Sequence, residues 1–148
     1  MSGRYCVIIP ALNAGATIGA LVRSIRLQGL SVVVVDDGST DQTAAIASAE
    51  GALVISHLRN LGKGSALRTG FEYALRSRFD GVVTMDSDGQ HDPAEISGLI
   101  QAGECQHAGM VLGDRMVNGV AMPAARRLTN RLMSLIVSGI ARQQVPDS

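Results

Sequence analysis

The sequence predicts an α/β fold, with a mostly parallel central sheet and helices on both of its faces. Short apolar runs rich in Val and Ile alternate along the chain with longer segments of helical periodicity, which is the order that a parallel sheet requires. Most of these runs end directly on Asp, Asn or Gly, as strands do where their loops enclose a ligand. A hydrophobic content of 46% with 3% aromatic residues and 17 glycines fits an aliphatic core joined by tight turns.

The bulk properties narrow the class of protein further. At 148 residues the chain is expected to be one domain, residues 1–148, with a single core. Its 13 basic and 13 acidic residues cancel, which argues against nucleic acid as a partner. Cys6 and Cys105 give neither a disulfide framework nor a zinc-binding spacing, so a reducing, cytoplasmic location is expected. No stretch reaches the ~18 consecutive apolar residues of a membrane span.

The first strand and the first helix are predicted from an apolar run and a helical stripe. Tyr5–Ile9 is a continuous apolar strand, and Pro10 is expected to stop it because proline lacks the amide that continues a ladder. A helix should begin after Thr17 as N-cap and end at Gly29. Its buried face is predicted from residues three and four apart, namely Ile18, Leu21, Val22 and Ile25.

Two further strands are predicted on either side of a short helix. Ser31–Val35 is too short and too rich in β-branched residues for a helix, so it is predicted to be the second strand. Asp41 is expected to cap a helix over Gln42–Glu50, which Gly51 ends. The third strand should follow at Ala52–Ser56.

The next helix is predicted to begin at an anion-binding loop. Lys63 lies between Gly62 and Gly64, which let the backbone approach a ligand closely, and the helix that follows would present its N-terminus to an anion. The alternative is a flexible turn with a solvated lysine. The inward face of this helix is predicted to carry Leu67, Phe71, Ala74 and Leu75.

The second half of the chain continues the alternation of strands and helices. A fourth strand is predicted over Gly81–Met85, followed by a helix over Pro93–Ala102. A fifth strand is expected at Met110–Leu112 and a last helix from near Pro123. The inward face of the helix after the fourth strand should carry Ile96, Leu99 and Ile100.

Asp86 and Asp88, directly after the fourth strand, are the strongest candidates for a metal site. In extended backbone, side chains two residues apart point the same way, so these two carboxylates can share one cation. With the amide of Gln90 they supply the oxygen ligands that Mg²⁺ and Mn²⁺ prefer. The sequence therefore predicts that a divalent metal and a phosphate-bearing ligand bind here.

A polar turn between strand and helix is the competing interpretation of this stretch. Asp92 would be the N-cap, Pro93 the first helical residue, and Glu95 the acid that completes a capping box. We accept this interpretation for those three residues. It gives no role to the two acids and the amide that precede them.

Polar side chains also follow the other predicted strands. Asn13 follows the first strand, Asp36 and Asp37 follow the second, and Arg115 follows the fifth. Because turns are satisfied equally well by Asn, Ser or Gly, acids in so many adjacent loops indicate a ligand, most simply a nucleotide diphosphate bound through a metal. Asp37 could accept hydrogen bonds from ribose hydroxyls or from a base edge.

Five segments carry a pattern of order and spacing, namely Ile9–Asn13, Val34–Asp41, Asn60–Gly64, Met85–His91 and Gly113–Arg115. Together they resemble the family 2 glycosyltransferases, specifically the dolichyl- or polyprenyl-phosphate mannosyltransferase-like branch, and the resemblance covers nearly the whole chain. The resemblance implies a GT-A, Rossmann-like fold that binds a nucleotide-diphospho-sugar. It also implies a metal-dependent, inverting transfer of sugar from GDP-mannose or a UDP-sugar to a polyprenyl or dolichyl phosphate, with Mg²⁺ or Mn²⁺ as cofactor.

The same resemblance assigns roles to individual residues. Asp88, Arg115 and Arg127 would be catalytic, the two arginines by contacting phosphates of the donor or the acceptor. The metal would be held by Asp86, Asp88 and Gln90. The donor would be bound by Pro10, Ala11, Asn13, Asp36, Asp37, Lys63 and Asp86.

Two departures from the family pattern set further expectations. The family usually has Glu after the Asn of its first motif, where this chain has Ala14 and Gly15. The last residues, Val145–Ser148, resemble the beginning of a later family segment that brings an arginine to the diphosphate. We therefore expect a single glycosyltransferase domain, residues 1–148, that lacks its C-terminal segment.

Two other functions stay open at this point. Transfer to a sugar hydroxyl of a glycan would need a carboxylate base, for which Asp92 is the only candidate. A catalytically silent module that binds a sugar nucleotide is the second alternative. A prenyl-linked acceptor would also bring the cytoplasmic protein into peripheral contact with the inner face of a membrane.

Overall fold

The computed structural model describes residues 3–106, with Gln106 described by its backbone alone. In this range four parallel strands form one sheet of order β3-β2-β1-β4, and they alternate with helices along the chain. The strands are β1 (Tyr5–Ala11), β2 (Ser31–Asp36), β3 (Leu53–Ser56) and β4 (Gly81–Thr84). The helices are α1 (Ile18–Leu27), α2 (Thr43–Ala49), α3 (Lys63–Arg76) and, after a 3₁₀ turn at Pro93–Glu95, α4 (Ile96–Gln106).

Helices cover both faces of the sheet, as the sequence predicted. Alternate residues of a strand point to opposite faces, so each strand contributes to two separate apolar clusters. On one face, Val7, Ile9, Val32 and Val34 pack with buried residues of α1, α2 and α4. On the other face, Cys6, Ile8, Val33 and Val35 pack with Ala66 and Ala74 of α3.

The prediction that Pro10 stops the first strand is wrong. Pro10 lies within β1, in register with Val35 of β2, and the strand continues to Ala11, whose carbonyl accepts from the amide of Asp37 at 2.8 Å. The ring nitrogen of Pro10 faces the β4 side, where pairing has already ended at Ile8. The missing amide therefore costs no ladder hydrogen bond.

The predicted inward face of α3 is wrong at its two largest residues. Phe71 and Leu75 are 42% and 77% exposed, whereas Ala66, Gly70 and Ala74 are buried. A Cβ at Gly70 would lie 2.5 Å from Cγ2 of Ile8, so the helix lies too close to the sheet for larger side chains on this face. Small residues four apart, rather than the most hydrophobic ones, define the packed face.

The remaining boundaries differ from prediction by a few residues. All four residues predicted for the buried face of α1 are buried, and Gly29, with φ +78°, follows its end. α4 continues past Ala102, the predicted end of this helix, and includes Cys105. The predicted fifth strand and last helix lie outside the described residues. Within residues 3–106, none of the helices is long and apolar enough to cross a membrane.

Candidate active site

A cleft of about 360 Å³ opens beyond the carboxyl ends of β1, β2 and β4. The chain runs from β1 to β2 on one side of β1 and reaches β4 on its other side, which makes this edge a topological switch point, the usual ligand site of an open parallel sheet. The first turn of α3 forms one wall. The cleft is lined by Pro10, Ala11, Leu12, Asp37, Asn60, Gly62, Lys63, Ala66, Asp86, Ser87 and Asp88.

Lys63 and Asp86 form an ion pair within this cleft. Nζ of Lys63 lies 2.7 Å from Oδ1 of Asp86, and the two side chains are 60% and 37% exposed. The pair joins the start of α3 to the end of β4. A cationic ammonium at the N-terminus of a helix can bind a negatively charged phosphate group.

Asp88 reaches the same cleft from a turn rather than from extended backbone. Its Oδ1 accepts from the amide of Gln90 at 2.9 Å, and Gly89 has φ +74°. The hydroxyl of Thr17 donates to the carbonyl of Ser87 at 2.6 Å and so attaches this turn to the start of α1. The turn, and not an alternation of side chains along a strand, brings Asp86 and Asp88 to one wall.

Asp37 is buried at the cleft floor and has three donors. Its Oδ1 contacts Nδ1 of His57 at 2.6 Å and accepts from the amide of Leu61 at 3.0 Å, and its Oδ2 accepts from the amide of Gly62 at 2.7 Å. Burial raises the pKa of Asp37, but the hydrogen bonds from His57, Leu61 and Gly62 lower it by more, so the carboxyl group has a pKa below its ordinary value. Asp37 is therefore an ionised anchor for the loop that leads to Lys63.

Asn13 and Asp36 hold neighbouring loops together and are not among the described residues that line the cleft. Oδ1 of Asn13 accepts from the backbone amide of Thr40 at 2.9 Å, and the backbone amide of Asn13 donates to the hydroxyl of Ser39 at 2.9 Å. Oδ1 of Asp36 accepts from the amide of Ser39 at 3.0 Å. The structure thus gives both predicted site residues a role in loop geometry.

The competing turn interpretation is confirmed for two of its residues. Oδ1 of Asp92 accepts from the amide of Ala94 at 2.9 Å, with Pro93 at the first position of the turn, so Asp92 is an N-cap. Gln90 is exposed and is not among the described residues at the cleft wall. Arg115 and Arg127, both predicted to be catalytic, lie outside the described residues.

The donor set fits a divalent metal that is bound together with a phosphate ligand. Mg²⁺ is commonly held by one or two carboxylates plus substrate phosphates, and Asp86 and Asp88 supply that number. A carboxylate can accept about four hydrogen bonds, so a single partner saturates neither group. No group of three or more His, Cys, Asp or Glu that could hold a metal occurs in residues 3–106. Asp86 and Asp88 alone would therefore form an incomplete metal site, which phosphate oxygens would complete.

Two residues of the site region were missed from the sequence. Nε2 of His57 lies 3.0 Å from the hydroxyl of Thr69, so the imidazole bridges Asp37 and α3. His57 follows β3 directly, at the carboxyl edge where polar residues gather, and this position was the available signal. Thr69 lies within a helix and gave no signal.

Comparison with known proteins assigns the class. The model of the family described as "Glycosyl transferase family 2" matches residues 6–146, so the chain belongs to glycosyl transferase family 2. It is 35% identical over 125 residues to the polyprenol monophosphomannose synthase of Mycolicibacterium smegmatis, which covers 78% of this chain and 46% of the synthase. It is 29% identical over 163 residues to the UDP-N-acetylglucosamine–dolichyl-phosphate N-acetylglucosaminyltransferase of Methanococcus voltae, covering 96% of this chain and 65% of that enzyme.

The structural comparison confirms the expected GT-A fold. Glucosyl-3-phosphoglycerate synthase from Mycobacterium tuberculosis, solved with Mn²⁺, UDP-glucose and phosphoglyceric acid, superposes with a TM-score of 0.62 and 30% identity. That match covers 88% of this chain and 51% of the synthase, and the same enzyme has been solved with Mg²⁺ and UDP. The chain spans between 46% and 65% of the length of the three relatives named here.

Proposed function

We propose that the protein is an inverting, metal-dependent glycosyltransferase that moves a sugar from a nucleotide-diphospho-sugar to a polyprenyl or dolichyl phosphate. The observation that carries the proposal is the cluster of Lys63, Asp86 and Asp88 at the switch point of the sheet. Both relatives named above act, by their names, on polyprenol or dolichyl phosphate. GDP-mannose and UDP-sugars are both candidate donors.

The charges of the cleft suit a nucleotide diphosphate. Two carboxylates alone would repel a diphosphate, so a cation must lie between them and the ligand. Mg²⁺ or Mn²⁺ held by Asp86 and Asp88 would supply that charge and stabilise the departing nucleoside diphosphate. Lys63 is close enough to Asp86 to serve the same phosphates without moving its backbone.

The acceptor chemistry favours a phosphate over a sugar hydroxyl. The second pKa of a phosphate monoester is about 6, so its oxygen is largely ionised at neutral pH and needs no strong general base. The attacking oxygen forms a bond to the anomeric carbon as the bond from that carbon to the diphosphate oxygen breaks, which inverts the configuration. Asp92, the base candidate that the sequence offered for a hydroxyl acceptor, is an N-cap and is not among the described residues that line the cleft.

The test is sugar transfer with each donor and each acceptor class. GDP-mannose, UDP-glucose and UDP-N-acetylglucosamine are offered with a polyprenyl phosphate, with phosphoglyceric acid, or with free glycans, in the presence of Mn²⁺ or of a chelator. We expect metal-dependent transfer to the polyprenyl phosphate. Metal-dependent binding of donor without transfer to any acceptor would instead identify a sugar-nucleotide-binding module.

Asp88→Asn separates a functional acid from a structural one. The side chain is exposed and accepts one local hydrogen bond that Asn can also accept, so we expect unchanged thermal stability together with loss of metal-enhanced nucleotide binding. Glu72→Gln on α3 is the matched control, because it removes an exposed acid whose partner, Arg68, lies on the same helix. Unfolding of Asp88→Asn, or wild-type coupling of metal and nucleotide in it, would contradict the assignment.

A further inference from the structure

The His57 imidazole joins three elements of the site region through two contacts. On one side it contacts Asp37 at 2.6 Å, and on the other the hydroxyl of Thr69 on α3 at 3.0 Å. The backbone amide of His57 also donates to the carbonyl of Asp36 at 2.8 Å, which continues the pairing of β2 and β3. The imidazole is only 11% exposed, so its position is fixed by these contacts.

The carboxylate that His57 contacts holds the loop before Lys63. Asp37 receives the amides of Leu61 and Gly62, and Gly62 has φ +92°, a conformation that residues other than glycine rarely adopt. This loop leads directly to the first turn of α3, where Lys63 contacts Asp86. The direction of the Asp37 carboxylate therefore sets the position of the loop that presents Lys63 to the cleft.

We propose that His57 is a positioning residue for nucleotide binding, which acts by orienting Asp37 and, through it, the Asn60–Gly62 loop that leads to Lys63. The proposal rests on the function proposed above. The proposal assigns Asp37 chiefly to contacts within the protein, since three of the roughly four acceptor directions of its carboxylate are taken by the imidazole of His57 and the backbone amides of Leu61 and Gly62. Thr69 in turn fixes the orientation of the imidazole ring.

Two substitutions of His57 separate its two contacts. In His57→Asn the side-chain amide lies near the position of Nδ1 and keeps a donor for Asp37. In His57→Gln the amide lies near the position of Nε2 and keeps a partner for Thr69 while losing the one for Asp37. Thr69→Val removes only the hydroxyl and retains the shape. If His57 had only a structural role, the effect of each variant on the loop would scale with its loss of global stability, whichever contact it had lost.

The first readout needs no ligand. Hydrogen exchange of the Leu61 and Gly62 amides, measured in the full chain, should be about tenfold faster in His57→Gln, because that variant loses the contact that orients Asp37. This change corresponds to about 1.4 kcal/mol. In His57→Asn the exchange should stay close to wild type. Amides in α1 serve as the internal reference for global stability. Equal exchange at Leu61 and Gly62 in all variants would overturn the proposal.

The second readout is the affinity for UDP and GDP in the presence of Mn²⁺. We expect His57→Gln to weaken binding about tenfold and His57→Asn to stay within about threefold of wild type. Because His57 is proposed to act through the Asn60–Gly62 loop that leads to Lys63, the loss of affinity caused by His57→Gln should be smaller in a chain that already carries Lys63→Met. Fully additive losses of affinity would refute a route through this loop. If the wild-type chain binds neither nucleotide, the proposed donor fails, and hydrogen exchange alone then decides whether His57 positions the loop.

Discussion

Lys63→Met is expected to change metal binding and nucleotide binding in opposite directions. In the ligand-free chain, the ammonium of Lys63 lies 2.7 Å from an oxygen of Asp86 and partly neutralises a carboxylate that a metal would need. Removing the ammonium frees Asp86 for the metal. The same change removes a cation that a bound diphosphate would contact, so nucleotide affinity should fall.

The magnitudes follow from the exposure of the pair. Both side chains are partly exposed, at 60% and 37%, and exposed ion pairs contribute about 0.2–1 kcal/mol. The affinity for Mn²⁺ alone should therefore rise by no more than about fivefold. A hydrogen bond to a charged group contributes about 1.5–3 kcal/mol, so the affinity for UDP or GDP with Mn²⁺ should fall by roughly tenfold or more.

The assay is a Mn²⁺ titration followed by the electron paramagnetic resonance signal of the free ion, with and without nucleotide. Arg68→Met is the matched control: it removes one positive charge from α3, but Arg68 pairs with Glu72 and not with Asp86. The control should leave both affinities unchanged. A Lys63→Met variant that binds Mn²⁺ alone no better than wild type would show that Lys63 and the metal do not compete for Asp86.

Two further predictions concern the stability of the described fold. Gly70→Ala should lower the free energy of unfolding, measured by urea denaturation, by about 1–3 kcal/mol, because the new Cβ would lie 2.5 Å from Ile8. Gly64→Ala is the control and should not lower it, because a Cβ there meets no atom within 4 Å. Equal stabilities of the two variants would refute the close packing. Because the pKa of Asp37 is lowered on folding, its carboxylate stabilises the fold fully above its unfolded pKa, and this contribution is lost as the pH falls through the lower folded value. The stability advantage of wild type over Asp37→Asn in urea should thus shrink as the pH falls below about 4, the ordinary pKa of an aspartate, and parallel pH profiles would contradict the lowered pKa of Asp37.

Local sequence patterns sufficed for most of the scaffold. The position of α1 was predicted from the apolar stripe of Ile18, Leu21, Val22 and Ile25. The prediction succeeded because α1 packs apolar side chains of ordinary size against the sheet. The same logic failed for α3, where proximity to Ile8 selects small residues over Phe71 and Leu75. The distance between a helix and the sheet depends on tertiary packing, and the spacing of apolar residues along the sequence carries no information about it.

Pro10 shows a second limit of local reasoning. Whether proline interrupts a strand depends on which neighbour its nitrogen faces and where that neighbour ends. β4 stops pairing at Ile8, so the nitrogen of Pro10 meets no ladder partner and β1 continues. The sequence indicated that the first strand ends near the cleft, but its last residue depends on the length of a strand that comes about seventy positions later.

The acids at the sheet edge look alike in the sequence, and their partners are what distinguish them. Backbone amides occupy Asp36, Asp37 and Asp92, and those donors cannot leave without unfolding a loop. The cleft oxygen of Asp86 instead contacts a lysine side chain, which can rotate away at little cost when a metal or a phosphate arrives. Asp88, like Asp92, accepts a single backbone amide within its own turn, but Asp88 lines the cleft and Asp92 does not. We therefore expect Asp86 and Asp88 to bind the ligand, Asp86 because its partner is replaceable and Asp88 because it is exposed at the cleft with acceptor capacity left.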